Sequence, residues 1–180
     1  MLPARVVSGD LSGLTAEETG LVTTCRDWMA AWPGEWRKEV KLYLSNGLEV
    51  LTYGTADAVQ RDPVQQCSRI VDWKFGRGHV LPAEANPQLA VYALMEHQAT
   101  GAKQVQAWIV QPRLGQDAWT MYEFQDWDNI QAWASRVIAA TKVPGAPRCA
   151  GPWCKYCAAR QGCPETTRPA RTCAISRSTM

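Results

Sequence analysis

The first part of the chain places apolar residues with the period of a helix. Apolar side chains recur three or four positions apart, at Leu21, Cys25, Trp28, Met29 and Trp32. Thr15 and Glu18 precede this run with the spacing of a capping box, in which each side chain binds the other residue's backbone amide. The pattern predicts an amphipathic helix over 16–31 that ends before Pro33, after a loop-like segment over 1–14.

A period of two residues follows this helix. Apolar residues alternate with polar ones over 40–44 and again over 48–52, on either side of Asn46 and Gly47. An Asn-Gly pair between alternating runs is a strong hairpin signal, because the tight turn needs residues that accept a positive φ. The pattern therefore predicts two antiparallel strands, and a second turn over 61–63 adds a third strand to the meander.

The second half of the chain carries both helix and strand signals. Asn86 suits a helix N-cap, Pro87 suits the first helical position, and Gly101 suits the position after the last turn. The elements predicted in this way are strands over 48–60, 68–75, 104–110 and 118–124, a helix over 87–99, and a last helix that begins near 126–128. This order predicts an α/β or α+β fold with one mixed sheet flanked by helices.

Length and composition place the chain among globular proteins. Its 180 residues suit one compact domain with a small appendage, and 46% hydrophobic and 20% charged residues are far from a disordered profile. The longest uninterrupted apolar run, 89–95, is much shorter than a bilayer span, and the first residues lack the apolar core of a secretory signal. We therefore expect a cytoplasmic protein without a membrane partner.

Charge is distributed unevenly along the chain. Residues 148–180 carry six basic side chains against Glu165, a balance of +5, whereas residues 1–147 carry a balance of −3. A basic end on a neutral-to-acidic body indicates an anionic partner, although a solvated tail over 166–180 explains part of the same charge. These features predict a main domain over 1–147, a cysteine segment over 148–165, and a basic, flexible tail.

Four of the seven cysteines are clustered near the C-terminus. They follow the spacing Cys-x4-Cys-x2-Cys-x5-Cys and are Cys149, Cys154, Cys157 and Cys163. The odd total and the clustering argue against a framework of disulfides. Four closely spaced thiols are typical of a zinc ion or an iron–sulfur cluster, and the spacing alone leaves both open.

Two charged residues, Asp72 and Lys74, interrupt an otherwise apolar predicted strand. Side chains alternate across a strand, so these two share one face and their apolar neighbours share the other. Asp57 ends the preceding strand, and the hairpin brings it beside Asp72. Two carboxylates at one strand end suit Mg²⁺, with Lys74 stabilising developing negative charge. An ordinary exposed ion pair on a half-buried strand explains the same spacing.

Three short motifs occur in order along the chain. They are Gly54-Thr-Ala-Asp57, Asp72-Trp-Lys74 and Gln88-Leu-Ala-Val-Tyr92. Together they resemble the RecB-type branch of the PD-(D/E)XK nuclease superfamily, and most of all its phage-encoded exonucleases. The resemblance covers roughly residues 35–165. It implies a restriction-endonuclease-like fold and a DNA nuclease that hydrolyses phosphodiester bonds with Mg²⁺ or Mn²⁺.

The resemblance also implies roles for individual residues. Asp57 and Asp72 correspond to metal ligands, and the Trp73 carbonyl corresponds to a further metal contact. Lys74 corresponds to the catalytic lysine. A histidine or glutamate on an N-terminal helix completes the metal site in fuller relatives, and this chain lacks a recognisable motif for it.

The third motif implies a DNA contact. Gln88 and Tyr92 lie four residues apart, on one face of the predicted helix, and correspond to residues that line the active site and bind DNA. A tyrosine packed on the core beside a solvated glutamine is the alternative. The partners implied by the resemblance are DNA, single-stranded or with free ends, and phage or host recombination proteins.

Iron–sulfur members of this branch carry a C-terminal Cys-x2-Cys-x5-Cys and one cysteine upstream. Cys154, Cys157 and Cys163 match the C-terminal three, which implies a 4Fe–4S cluster, with Zn²⁺ as the alternative. We favour Cys149 as the fourth ligand, because Cys25 falls on the apolar face of a predicted helix and suits the core.

Two other functions stay open at this point. Glu17, Glu18 and Glu39 are the candidates to replace the missing N-terminal metal ligand, and none lies in a recognisable motif. Without such a ligand the chain would be a non-catalytic DNA-binding or assembly subunit that keeps the nuclease fold. A zinc-binding interaction module is the second alternative.

Overall fold

The computed structural model describes residues 2–32, 34–145, 148, 150–151, 154–155 and 157–166. Cys149 and the predicted tail beyond residue 166 therefore lie outside the described residues. The chain divides into two compact units, residues 1–131 and residues 132–180, and each is described by itself. The domain boundary placed at residue 147 from the sequence stays a prediction.

One five-stranded sheet, in the order β1-β2-β3-β4-β5, forms the centre of the first unit. Its strands are β1 (Trp36–Ser45), β2 (Val50–Asp62), β3 (Cys67–Trp73), β4 (Gln104–Val110) and β5 (Thr120–Phe124). Neighbouring strands are antiparallel except β3 and β4, which run parallel. The parallel pair needs a crossover connection, which contains helix α3 (Pro87–Thr100). The predicted class, an α+β fold with one mixed sheet flanked by helices, is confirmed.

Helix α2 (Ala16–Ala30) begins with the predicted capping box. The Glu18 amide donates to Thr15 Oγ1 at 3.3 Å, and the Thr15 amide donates to Glu18 Oε2 at 2.9 Å. Two of the amides that a helix start leaves without intrahelical partners are thereby satisfied. Local sequence chemistry is sufficient to fix where this helix begins.

The loop predicted over 1–14 is wrong in its first part, because helix α1 (Leu2–Ser8) forms there. Val6 of this helix is 1% exposed and packs in a cluster with Val22 and Cys25 of α2. A helix of seven residues is too short to be stable alone, so this packing selects it. Gly9 ends the helix with a φ of 72°, and its amide donates to the Arg5 carbonyl at 2.9 Å, but a segment this short shows no helical period from which the helix could be predicted.

The predicted hairpin between β1 and β2 forms, with a longer turn than a two-residue one. Asn46 Oδ1 accepts hydrogen bonds from the amides of Leu48 and Glu49 at 3.0 and 2.9 Å, and Gly47 has a φ of 88°. Strand β2 accordingly begins at Val50 and not at Leu48. The Asn side chain stabilises a four-residue connection, and this turn and a register shift between Leu44 and Ser45 together set the pairing of the two strands.

Helix α3 forms within one residue of its predicted end. Asn86 Oδ1 accepts from the amides of Gln88 and Leu89 at 3.0 and 3.3 Å, and Gly101 ends the helix with a φ of 71°. A last helix, α4 (Trp127–Thr141), begins in the first unit and ends in the second. No helix among the described residues is long and apolar enough to cross a membrane.

Strand β3 lies in the middle of the core, with all seven residues buried. As predicted from alternation, Val71, Trp73 and Phe75 share one side, where they pack with α1 and α2. On this side Trp28 contacts five other indole rings, with centroid distances of 5.0 to 6.2 Å. These partners are Trp32, Trp36, Trp73, Trp108 and Trp119. The opposite side of β3 carries Asp72.

Candidate metal and DNA site

Strands β2 and β3 bring the two predicted carboxylates to neighbouring positions. The ladder between these strands ends with the pair Ala58–Val71, so Asp57 and Asp72 follow where regular pairing stops. Beyond the last ladder pair, the Asp57 side chain links the two strands, because its Oδ2 accepts a hydrogen bond from the Trp73 amide of β3 at 2.8 Å. Both acids therefore lie in one row of the sheet, as the meander predicts.

Asp72 is the more buried of the two acids. It is 5% exposed, and its Oδ2 accepts no hydrogen bond from the residues that the structure describes. Lys74 balances its charge: Nζ lies 2.6 Å from the same Oδ2, in an ion pair outside hydrogen-bond geometry. The Lys74 side chain is 32% exposed. A buried carboxylate oxygen with this environment can accept a further cation.

Asp57 is half-buried, and its pKa is raised from 3.8 to about 6. Burial is the largest cause, because it disfavours the charged form, and the negative charges of Asp72 and Glu39 act in the same direction. The hydrogen bond from the Trp73 amide and the charge of Lys74 oppose the shift. Negative charge is thus incompletely compensated at this position.

The Trp73 residue contributes to this site through its backbone. Its indole ring is buried in the core, with the residue 3% exposed, while its amide binds Asp57. The next residue, Lys74, donates its own amide to the Val110 carbonyl at 2.9 Å, which extends the β3–β4 pairing by one position. The metal contact of the Trp73 carbonyl stays a prediction.

The first and third motifs contact each other. A Cβ built on Gly54 would stand 2.4 Å from Tyr92 Cε1, so the tyrosine ring packs against the glycine backbone. Gln88 Nε2 donates to Tyr92 Oη at 3.0 Å. Tyr92 is only 9% exposed, whereas Gln88 is exposed. Of the two predicted DNA contacts, Gln88 is therefore the accessible one. The hydrogen bond to Tyr92 Oη positions its side-chain amide.

Of the three N-terminal acids considered, two are engaged elsewhere. Glu17 forms an ion pair with Arg113 and lies 3.4 Å from Arg77. Glu18 belongs to the capping box of α2, whose hydrogen bonds lower its pKa. Glu39 lies on β1, exposed, and its charge acts on Asp57. The turn between β1 and β2 and the register shift between Leu44 and Ser45 decide where Glu39 lies along β2.

Two further polar residues tie the segment after β3 to the end of β4. Gln111 Nε2 donates to the Gly78 carbonyl at 2.8 Å, and Arg113 Nε donates to the Phe75 carbonyl at 2.7 Å. Gln111 is 3% exposed. These contacts hold the chain that continues from Lys74. Neither residue belongs to the three sequence motifs, so no role was assigned to them from the sequence.

The second unit contains three of the clustered cysteines within the described residues. Cys154 and Cys163 are partly exposed, Cys157 is exposed, and none of them is in a disulfide. The Gly151 amide donates to Cys154 Sγ at 3.3 Å. Hydrogen bonds of this kind to cysteine sulfur help to set the reduction potential of iron–sulfur clusters. Cys149 lies outside the described residues. Among those residues, no three His, Cys, Asp or Glu side chains are placed to hold a metal ion.

Cys25, the alternative fourth ligand, lies in the core of the first unit. It is 0% exposed in the cluster that also contains Val22 and Met29. Burial raises the pKa of its thiol to about 12, which disfavours the thiolate that a metal binds. This environment is typical of a small core residue.

Similarity to known proteins bears on the family of this chain. Among curated proteins, none matches it. The chain is similar to a solved structure titled "Crystal structure of SSO0001", at 21% identity and a TM-score of 0.44, over 83% of this chain and 67% of that one. A family model described as "Protein of unknown function (DUF2800)" matches residues 35–177. Since this match spans well over half of the sequence, the chain belongs to the DUF2800 family.

Proposed function

We propose that this protein is a metal-dependent DNA nuclease of the RecB-type PD-(D/E)XK class, acting as an exonuclease. The observation that carries the proposal is the position of Asp57 and Asp72 in one row of the sheet, with Lys74 Nζ 2.6 Å from Asp72. The contact between Gly54 and Tyr92 supports it, because it joins the motifs that the resemblance rests on.

Asp57 and Asp72 suit a hard divalent cation. Mg²⁺ and Mn²⁺ favour carboxylate oxygens, and Asp72 Oδ2 is buried without a hydrogen bond from the described residues. These two residues would hold the ion, with the Trp73 carbonyl as a further contact. A bound cation of this kind supplies Lewis acidity towards a phosphoryl oxygen and a water of lowered pKa.

Lys74 stabilises the charge that develops on the phosphate. Its ammonium has three donors and a partly exposed side chain, so it can turn from Asp72 to a phosphoryl oxygen. In the hydrolysis, a water oxygen forms a bond to phosphorus and the bond from phosphorus to the leaving oxygen breaks. The proton lost by the water goes to solvent, and the leaving oxygen takes up a proton.

DNA is the substrate that the exposed groups favour. Gln88, held by Tyr92 at the start of α3, presents an amide that can donate to phosphate or base oxygens. The balance of +5 over residues 148–180 adds an attraction for phosphates. A role in phage replication or recombination, in the host cytoplasm and with phage or host recombination proteins, follows from the resemblance.

Cys154, Cys157 and Cys163, with Cys149, would hold a 4Fe–4S cluster or a Zn²⁺ ion. The amide–sulfur contact at Cys154 supports the turn that such a site needs. The role proposed for this site is structural: it pins the C-terminal segment, whose other described elements are short 3₁₀ turns at Arg160–Gly162 and Pro164–Thr166.

A digest of end-labelled single-stranded and double-stranded DNA tests the proposal. Anaerobically purified protein should degrade DNA with Mg²⁺ or Mn²⁺ and lose this activity in excess chelator. Asp72→Asn should lower the rate by roughly three decades or more, because a metal contribution of several kcal/mol is lost at about 1.4 kcal/mol per decade. Asp27→Asn, at an exposed position on α2, is the matched control. Near wild-type cleavage by Asp72→Asn would exclude this nuclease mechanism.

A DNA-binding or assembly subunit is the second candidate. It is favoured because Glu17 and Glu18, two of the three acids considered to complete the metal site, are engaged in an ion pair and in the capping box. The same digest separates the two candidates: a protein that retards DNA in a gel and leaves it intact with both ions is the binding subunit.

A further inference from the structure

A cleft of about 330 Å³ lies on the side of the sheet that carries the candidate site. The register places Asp72 of β3 beside Ile109 of β4, and Ile109 beside Thr120 of β5. Paired positions of neighbouring strands point to the same face of a sheet, so all three side chains share one face. Ile109 and Thr120 line the cleft. Its floor therefore continues the row of the sheet that contains Asp72.

The cleft is close to the candidate metal ligands. Neighbouring strands are about 4.8 Å apart, so the backbone of Ile109 is one strand spacing from Asp72 and that of Thr120 is two. The sugar of a single nucleotide is sufficient to join a phosphate at Asp72 to a group bound over these two residues. Cleft and carboxylates can thus hold two parts of one nucleotide.

One wall of the cleft is the segment that follows β3, and it is fixed to β4 and β5 at three points. Gln111 Nε2 donates to the Gly78 carbonyl at 2.8 Å, and Gln111 Oε1 accepts from the Val80 amide at 3.5 Å. The Ala83 amide donates to Thr120 Oγ1 at 2.9 Å. The cleft is therefore preformed, as sites for small ligands usually are.

Apolar side chains dominate the lining. Leu81 and Pro82 come from the segment after β3, and Leu114 and Ala118 come from the connection between β4 and β5. Leu81 is 58% exposed, so the rim offers apolar surface to solvent. Such a lining suits the flat, apolar faces of a ring.

The polar groups of the cleft favour an uncharged ligand. Asp117 supplies a carboxylate, and no Lys or Arg is among the described residues that line the cleft, so a phosphate inside it would be repelled. The Thr120 hydroxyl accepts from Ala83 and keeps a proton to donate, and the His79 ring can donate or accept. The edge of a nucleobase carries the donors and acceptors that match these groups.

We propose that this cleft binds the base of the terminal nucleotide of a single-stranded DNA end. The inference rests on the proposed function, which places the phosphate of the substrate at Asp57, Asp72 and Lys74, and it adds a site of different chemistry beside them. A base must leave its stacking neighbours to enter the cleft, and this costs least in a strand that is already single. The base pocket would thus direct the reaction to free single-stranded ends.

Oligonucleotides that carry the fluorescent base 2-aminopurine test the proposal. The full chain is mixed with single strands labelled at the 5′ end, at the 3′ end or in the middle, in Ca²⁺, with a gel to show that the strands stay intact. The anisotropy of a separate dye follows binding itself. One end label should become brighter on binding, because its base leaves its stacking neighbours for an aliphatic lining, and the middle label should not.

Two variants locate the response in the cleft. Ala118→Phe fills it and should weaken binding roughly tenfold, about the share of one bound base. Leu81→Ala removes part of one wall and should weaken binding roughly threefold. Both should abolish the brightening. Leu48→Ala, at a leucine that is 95% exposed in the turn between β1 and β2, should behave like wild type. Circular dichroism establishes that each variant is folded, and the exposed position of Leu81 keeps the test open if Ala118→Phe does not fold.

The outcomes distinguish this inference from the proposed function. If wild type binds and degrades DNA but neither end label brightens, or the brightening persists in both cleft variants, the cleft is not the base site and the nuclease proposal stands. A middle label that brightens as much as the end label would overturn the assignment to a strand end. If wild type neither binds nor degrades DNA, the proposed function and the base site are both rejected.

Discussion

The Tyr92 ring lies against Gly54 so closely that a methyl group on the glycine would stand 2.4 Å from Tyr92 Cε1. Helix α3 and strand β2 are therefore in direct contact three residues before Asp57. Tyr92 Oη accepts a hydrogen bond from Gln88, so the same contact positions the exposed amide. The glycine is required here by the space that the ring occupies, and its φ is ordinary.

Gly54→Ala should destabilise the protein by about 1 to 3 kcal/mol, because the added methyl group must displace Tyr92 or the strand. Urea unfolding followed by circular dichroism measures this change. Gly20→Ala is the control: position 20 lies within α2 and its Cβ meets nothing within 4 Å, so the substitution should raise stability by up to about 1 kcal/mol. Equal effects of the two substitutions would contradict the close packing.

Asp57→Asn should stabilise the metal-free protein at neutral pH. The folded pKa of Asp57, about 6, lies above its ordinary value of 3.8, so the folded state binds the proton more tightly. The wild-type carboxylate therefore reduces stability progressively as pH rises from about 4 to about 6, and the loss persists above pH 6. Asparagine carries no such charge and can still accept from the Trp73 amide.

Unfolding in chelator at several pH values checks this prediction. The stability difference between Asp57→Asn and wild type should be near zero at pH 4. It should reach on the order of 1 to 2 kcal/mol above pH 7, after allowance for the solvent that reaches this half-buried side chain. A difference that does not change with pH would show that Asp57 has an ordinary pKa.

Arg61→Ala should be strongly destabilising. Glu96 is 0% exposed and accepts from Arg61 Nε and Nη2 at 2.7 and 2.9 Å, and from Ser68 Oγ at 3.0 Å. Loss of the guanidinium leaves a buried carboxylate without its cation, which costs about 3 kcal/mol. Arg37→Ala, at an exposed position on β1, should change stability by less than about 0.5 kcal/mol. The double variant Arg61→Met with Glu96→Gln should recover much of the loss, and failure to do so would show that packing dominates.

Cys149→Ser should remove the broad visible absorption of an iron–sulfur cluster from anaerobically purified protein, whereas Cys25→Ser should keep it. The reason for the second expectation is that the Cys25 thiol is buried and its pKa is about 12. The opposite pattern would assign the fourth ligand to Cys25. A colourless preparation with one zinc per chain would show that the cysteines bind Zn²⁺ and not an iron–sulfur cluster. That result would leave the nuclease proposal unaffected.

Elements with local chemical signals were predictable from the sequence. The start of α3 depends on one Asn side chain and its end on Gly101, and both are read from neighbouring residues. Helix α1 was missed because Val6 is stabilised by residues that are distant in the sequence. Local patterns do not report such packing.

The candidate site was only partly predictable for a related reason. Asp72 lies near the end of β3, whereas Asp57 lies in the middle of β2 and not at the strand end that the sequence predicted; the antiparallel meander was still sufficient to bring them together. Glu39 depends on register: a two-residue turn at Asn46-Gly47 would pair it with Gly54, whereas the observed register places it opposite Asp57. The longer turn at Asn46 and the register shift between Leu44 and Ser45 together decide which residue of β1 faces Asp57.

The indole rings around Trp28 are an intrinsic spectroscopic probe that lies close to the candidate site. Trp73 has its amide on Asp57 and its ring centroid 5.9 Å from that of Trp28. A displacement of this strand end on cation binding would change the mutual orientation of coupled chromophores. Near-ultraviolet circular dichroism and tryptophan emission should therefore report cation binding at Asp57 and Asp72 in unlabelled protein and without DNA.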